Sequence, residues 1–212
     1  DGIRDRDVTG VQTCALPIFA SASPRRAELL RGLGIEFTVI TSAAEEAHQE
    51  DFTARELCLV NAYRKARAVA KQHAQALVLG ADTLVYLGTK LYGKPTDLAD
   101  AHRMLRELAG HTHQVVTGVC LLELGRHRCR LFAETTNVTF KRLTDAQIAA
   151  YLGSIQPLDK AGAYAIQDQG EQIVAGIRGS FSNVVGLPVE RVKHELARWA
   201  RNKTERNASR RR

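Results

Sequence analysis

The chain has 212 residues, 44% of them hydrophobic and 25% charged, enough for one domain or two unequal lobes around a buried core. That excludes a disulfide-stapled miniprotein and a disordered tail protein, and no apolar run approaches the ~20 residues of a membrane span. The formal charge of +7 sits mostly at one end: residues 198–212 carry seven basic groups against Glu205, whereas 19–197 hold only +2. A basic end on a near-neutral body reads as a solvated, frayed tail or a weak polyanion contact, not as a specific nucleic-acid binder.

Asp1 to Pro17 has no initiating Met and no helical or strand period, and it lacks the basic start and long apolar stretch of a signal peptide. The expectation is a non-native or disordered segment over 1–17, a cloning scar or translated flanking sequence, followed by one domain over 18–197 and a basic tail over 198–212. Ile18–Ala22 reads as a short buried strand that can begin only after Pro17, which has no N–H for a ladder. Ser23-Pro24 opens a helix, with Ser as N-cap and Pro at the first helical position, and Gly32 and Gly34 close it. Glu36–Ile40 is a strand candidate. Thr53-Ala54-Arg55-Glu56 is a capping box whose helix carries Leu59, Tyr63, Ala66 and Ala70 at helical spacing.

Ala76–Gly80 is an apolar strand running into Ala81-Asp82-Thr83, and Leu84–Leu87 with Lys90–Tyr92 reads as a hairpin. Asp97–Leu108 predicts a helix with Ala101, Met104, Leu105 and Leu108 inward, closed by Gly110. His113–Glu123 and Arg128–Thr139 are two long strands joined near Gly125. A second capping box, Thr144 to Gln147, starts a helix that Gly153 stops. Gln172–Ile177 is a last strand, and Pro188 starts the final helix. The mixture predicts an α/β fold with antiparallel pairs.

Cys14, Cys58, Cys120 and Cys129 include no C-x-x-C and no His pair at zinc spacing, so a reducing, cytoplasmic setting fits best. Neither a G-x-S-x-G elbow, a G-x-x-x-x-G-K-[ST] loop nor a G-x-G-x-x-G fingerprint is present, which disfavours serine hydrolases, P-loop ATPases and dinucleotide oxidoreductases. Three polar clusters interrupt the apolar pattern at element ends. Ser21-Ala22-Ser23-Pro24-Arg25-Arg26 offers free backbone N–H groups and two guanidinium forks to a phosphate, or is an ordinary N-cap with surface arginines. Asp82 ends a buried strand as a general base or metal ligand, or as a turn Asp bonded to its own backbone. Leu158-Asp159-Lys160-Ala161-Gly162-Ala163-Tyr164-Ala165-Ile166-Gln167 suits a ligand-contacting loop, or a plain ion-paired turn. Glu46 could complete a metal site with Asp82 or be a solvated loop acid, and Lys65 by default belongs to a solvated helix face.

Taken in order, Ala20-Ser21-Ala22-Ser23-Pro24-Arg25-Arg26, Gly80-Ala81-Asp82-Thr83 and Gly93-Lys94-Pro95 resemble the Maf family of nucleoside triphosphate pyrophosphatases. So do the 158–164 cluster and Ser180-Phe181-Ser182-Asn183-Val184-Val185-Gly186-Leu187-Pro188, so that the resemblance runs from Phe19 to Leu196. It implies a mixed α/β sheet split into two lobes with the nucleotide in a central cleft, and hydrolysis between the α and β phosphates. By that resemblance Asp82 is the catalytic acid residue, while Ser21, Arg26, Lys65 and Lys94 line the triphosphate. Glu46 and Asp82 then hold a divalent cation, Mg²⁺ or Mn²⁺. Arg25, Thr83 and Gln167 stand at the positions that read the base and resemble the dTTP/UTP type; Gln offers one donor and one acceptor to the edge of uracil or thymine. The alternatives are 7-methyl-GTP or a noncanonical purine triphosphate as substrate, or a catalytically silent nucleotide-binding regulator of division. The implied partners are the nucleotide and, as an option, a second copy of the chain, with no membrane. Two departures from the family pattern matter for packing: Phe19 replaces a usual leucine, and Ala165 replaces a common glycine, which requires negative φ at that residue.

Overall fold

The computed structural model describes residues 16–47 and 52–209, so the expected non-native segment lies outside the described residues except for Leu16 and Pro17. One seven-stranded sheet organises the chain: β1 (Ile18–Ala20), β2 (Thr38–Val39), β3 (Val78–Leu87), β4 (Lys90–Tyr92), β5 (Thr112–Glu123), β6 (Arg128–Phe140) and β7 (Val174–Arg178). Its order is β2-β1-β3-β5-β6-β7, with β4 also paired to β3. β1 runs parallel to β2 and β3, and all other pairs are antiparallel. This is the mixed α/β sheet that the sequence predicts.

The caps read from sequence form as expected. Ser23 caps α1 (Pro24–Arg31), Thr53 closes a full capping box on α2 (Ala54–Ala70), and Thr144 with Gln147 forms the box of α4 (Asp145–Ser154). Asp97, expected as the first residue of its helix, is instead the N-cap of α3 (Leu98–Leu108). All four inward residues expected in α3 are buried. Gly153 does not stop α4, which runs on to Ser154; β7 begins only at Val174, because Gly170–Gln172 closes a 3₁₀ turn ahead of it. The five-residue α5 (Phe181–Val185) has too few residues for a helical period and was not legible. α6 (Val189–Ser209) carries the backbone of the expected tail as helix through Ser209, and Trp199 packs against the core with the Arg128 guanidinium 4.1 Å from its ring centroid.

Two lobes share the long strands. One gathers α1, α2, β1, α6 and the first half of β3 around Leu30, Ala66, Val78, Leu121 and Leu187. The other gathers α3, α4 and β4 around Leu105, Phe140, Ile148 and Tyr151. Phe19 is fully buried and lies edge-on to Phe37, so the larger ring is absorbed by this core. Between the lobes the sheet has a notch. β1 pairs with β3 only over Val78–Gly80, and β4 pairs with the same edge only over Val85–Leu87. The expected strand to Ala22 stops at Ala20 because Ser21 and Ser23 turn the chain into α1, the Ser21 hydroxyl accepting from the Ser23 N–H. Residues 81–84 are therefore paired to β5 on one side and open on the other.

Candidate functional site

Strand alternation divides the notch into two faces. Asp82 points to α2 and Thr83 to the opposite side. On the α2 face the helix lies unusually close to the sheet because two glycines permit it. A Cβ on Gly80 would stand 2.4 Å from the Ala62 carbonyl oxygen, and one on Gly118, paired directly with Asp82, would stand 2.5 Å from the Cys58 carbonyl. This approach brings α2 side chains onto a carboxylate that is only 4% exposed. The Lys65 ammonium donates to Asp82 Oδ1 at 2.6 Å and to Glu46 Oε1 at 2.7 Å, and the Asn61 amide donates to Asp82 Oδ2 at 3.2 Å. Partial burial opposes ionisation of Glu46, but the hydrogen bond and charge of Lys65, with Lys94 and Arg26 beyond, hold its carboxyl below the ordinary value.

On the other face Arg26 fills the notch. Its Nε donates to the Gly186 carbonyl at 2.9 Å, one terminal nitrogen to the Ala81 carbonyl at 3.1 Å, and the other to Thr83 Oγ1 at 2.7 Å. The Thr83 hydroxyl also lies 2.9 Å from that of its cross-strand neighbour Thr117, which donates to the Asn183 carbonyl. Burial lowers the Arg26 pKa, and the charges of Asp82, Cys58 and Glu46 oppose that shift. Ser21 is buried at the end of β1. Arg25 reaches across from α1 to Asp159 at 3.2 Å, 134 residues away in sequence.

The remaining expected residues sit on the second lobe. Lys94 is exposed, and its loop is tied to the 158–167 cluster by the Gly162 N–H donating to the Gly93 carbonyl at 3.0 Å. Gly162 has φ +72, the left-handed turn that a Cβ would strain, whereas Ala165 is not among the residues of positive φ and so meets its requirement. Lys160 spends its ammonium inside its own loop, on the Gln156 carbonyl and Asp159. Gln167 is exposed and has no side-chain hydrogen bond among the described residues.

The structure thus brings Asp82, Glu46 and Lys65 into one cluster and Arg26 with Thr83 into another on the reverse face; Arg25 stands on the first turn of α1, and Lys94 and Gln167 on loops around them. Sequence reasoning missed Asn61, four residues before Lys65 on the same helix face, where an amide in a buried apolar row was the available signal. It also missed Thr117, which gave none, and gave no role to Asn183, which stands inside the quoted 180–188 motif. Among the described residues no group of three or more His, Cys, Asp or Glu converges on one point. Two carboxylates sharing one ammonium do fit a hard divalent cation whose other ligands are phosphate oxygens and water, since Mg²⁺ commonly takes only one or two carboxylates.

The Maf-like protein family model matches residues 17–199. A dTTP/UTP pyrophosphatase of Akkermansia muciniphila is 46% identical over 176 residues, 82% of this chain and 92% of the relative. One from Gloeobacter violaceus is 46% identical over 184 residues, 87% of this chain and 96% of the relative. A third, from Bacillus cytotoxicus, is 42% identical over 182 residues, covering 86% and 94%. Among solved structures, a HAM1 protein from Coxiella burnetii aligns with a TM-score of 0.42 and 19% identity over 61% of this chain and 74% of that one, a likeness too distant to bear on the site.

Proposed function

This chain belongs to the Maf-like protein family, and we propose that it is a nucleoside triphosphate pyrophosphatase that hydrolyses dTTP and UTP to the monophosphate and pyrophosphate. The observation that carries the reading is the convergence of Glu46 and Asp82 on the Lys65 ammonium beside an open strand edge, with Arg26 behind it. A triphosphate needs several cations and directed N–H donors, and an attacking water needs a group to take its proton. Arg26 uses three of its five N–H groups on the protein, so its fork is held rigid with donors left for a phosphate. Lys65 and Lys94 add charge from the two lobes, and Ser21 offers a hydroxyl at the end of β1.

Asp82 is the acceptor for the water proton. Its carboxylate is oriented by Lys65 and Asn61, so little reorganisation is required during the reaction. Glu46 and Asp82 would hold Mg²⁺ or Mn²⁺, which supplies positive charge to the phosphate oxygens when bound. Base selection falls to Arg25, Thr83 and Gln167. Arg25 presents a guanidinium from α1 and Gln167 an amide from the second lobe, and Thr83 shapes the floor by accepting from Arg26. The helices of the described residues include none long and apolar enough to cross a membrane, which suits an enzyme of the nucleotide pool.

The test is pyrophosphate release with Mg²⁺ or Mn²⁺ across dTTP, UTP, CTP, GTP and 7-methyl-GTP. Preferential dTTP and UTP turnover with monophosphate as co-product supports the reading. Turnover confined to a purine removes the assignment of the base-reading residues, and no turnover of any nucleotide by the folded chain removes the enzyme.

A further inference from the structure

Along the buried face of α2 the residues are Leu57, Cys58, Asn61, Ala62, Ala66, Val69 and Ala70. One carboxamide stands in that aliphatic row, 2% exposed. An amide there is a poorer helix former than the Ala and Leu around it, and it must find partners for its donors and acceptor. Asn61 finds them in two other segments of the chain. Its Oδ1 accepts the Ala47 N–H at 2.7 Å, and its Nδ2 donates to the Ala47 carbonyl at 3.4 Å and to Asp82 Oδ2 at 3.2 Å. These partners also fix which end of the amide is which, since turning it over would set oxygen against the Asp82 carboxylate and nitrogen against an N–H.

Ala47 is the residue after Glu46. One side chain on α2 therefore grips the backbone of the loop that carries the first carboxylate and, with the same amide, the second carboxylate on β3. Lys65, one helical turn on, also joins Glu46 to Asp82, but a cation would compete with its ammonium for these carboxylates and a phosphate would draw the ammonium away from them. The Asn61 bonds to Ala47 are made to backbone and stay in place when the Lys65 side chain turns away.

We propose that Asn61 is the positioning residue that ties the Glu46 loop to Asp82 and holds the two carboxylates at the spacing a divalent cation requires. The inference rests on reading these carboxylates as the cation-holding pair of the proposed pyrophosphatase. It makes Asn61 an outer support of the site, touching neither substrate nor cation, and supports of this kind are worth about 10–100-fold in metal affinity.

The variant is Asn61→Leu in the full chain, which keeps most of the volume and suits the apolar row. Mn²⁺ binding is followed by electron paramagnetic resonance without nucleotide, alongside amide hydrogen exchange and thermal unfolding. The expected result is a Mn²⁺ dissociation constant raised about tenfold or more, a faster-exchanging Ala47 amide, and an unfolding midpoint close to the parent. Parental Mn²⁺ affinity in the variant overturns the inference, as does an unchanged Ala47 exchange rate or a parent that binds no Mn²⁺. Should Asn61→Leu fail to fold, the parent decides: an Ala47 amide that exchanges as fast as open loop amides overturns the clamp. Failure of the nucleotide panel with Mn²⁺ binding intact would remove the proposed function and leave Asn61 to be judged on these readouts.

Discussion

Replacing Gly80 with alanine adds one methyl group and tests how closely the site depends on helix-to-sheet distance. The new Cβ would lie 2.4 Å from the Ala62 carbonyl oxygen, 2.9 Å from the Ala66 nitrogen and 3.0 Å from the Ala66 Cβ. Ordinary contact needs about 3.5 Å, so α2 must withdraw by about 1 Å, and the obstructing atoms are helix backbone that no rotamer change can move. Overpacking of this kind costs about 1–3 kcal/mol, or roughly 2–12 °C in Tm for a chain of this size. A 1 Å retreat also stretches the 3.2 Å bond from Asn61 to Asp82 beyond hydrogen-bond range, and misplacement on that scale lowers turnover by about 100-fold. Urea or thermal unfolding measures the first effect and pyrophosphate release the second. Gly153→Ala on α4 is the control, because its methyl meets nothing within 4 Å and should leave both readouts at or slightly above the parent. A Gly80→Ala variant with parental stability and parental turnover would refute the link between close packing and the site.

Asp82→Asn should lower dTTP turnover by roughly 10³-fold while circular dichroism stays native; turnover near the parent's would remove Asp82 as the proton acceptor. Arg25→Ala and Gln167→Ala should change the ratio of kcat/KM for dTTP over CTP by about tenfold and move Tm little, since both side chains lie on the rim; an unaltered substrate profile sinks the base-reading assignment. His113 is fully buried, with Nε2 2.9 Å from the Tyr164 hydroxyl, and burial pushes its pKa down to about 4. The unfolded chain takes up that proton near pH 6.5 and the folded one does not, so this contribution is complete above about pH 6.5. It is lost as pH falls toward 4, to the extent of roughly 3 kcal/mol. His113→Gln should show a shallower decline in urea-derived stability from pH 7 to 4.5, and parallel curves for parent and variant would contradict it.

Most elements were legible because their signals are local. Capping boxes at Thr53 and Thr144, the N-cap pair Ser23-Pro24 and the a/d-like row of α3 each specify structure within a turn of the chain. The site was legible as residue types but not as a geometry. Asp82 and Thr83 are neighbours in sequence, yet the pleat sends them to opposite faces, so what reads as one cluster becomes two. Lys65 looks like one more cation on a basic helix until Gly80 and Gly118 let the helix settle onto Asp82. Asn183 belongs to the quoted 180–188 motif, yet its contacts show why the rest was hidden. Its amide donates to the Val115 carbonyl and to Thr136 Oγ1, contacts 68 and 47 residues away that no short-range pattern encodes.

The notch explains why stability and the proposed phosphate contact meet at Arg26. Ending β1 at Ala20 and starting β4 opposite Val85 leaves the Ala81 carbonyl without a strand partner, and a buried carbonyl left so would cost about 1–3 kcal/mol. Arg26 supplies the missing donor from a helix whose own N-terminus opens on the same gap. Its guanidinium is thereby fixed by three different segments: β3 through Ala81 and Thr83, the turn after α5 through Gly186, and α1 itself. A lysine could close at most the charge requirement, since it lacks the planar fork that meets two acceptors on one side and keeps donors directed on the other. Lys65 is the opposite case. Its two short contacts are both to carboxylates that a cation would engage, while a phosphate would draw on the ammonium itself, so it is suited to move where Arg26 is suited to stay. The interruption of the sheet thus yields one rigid and one exchangeable positive group on the two faces of the same strand.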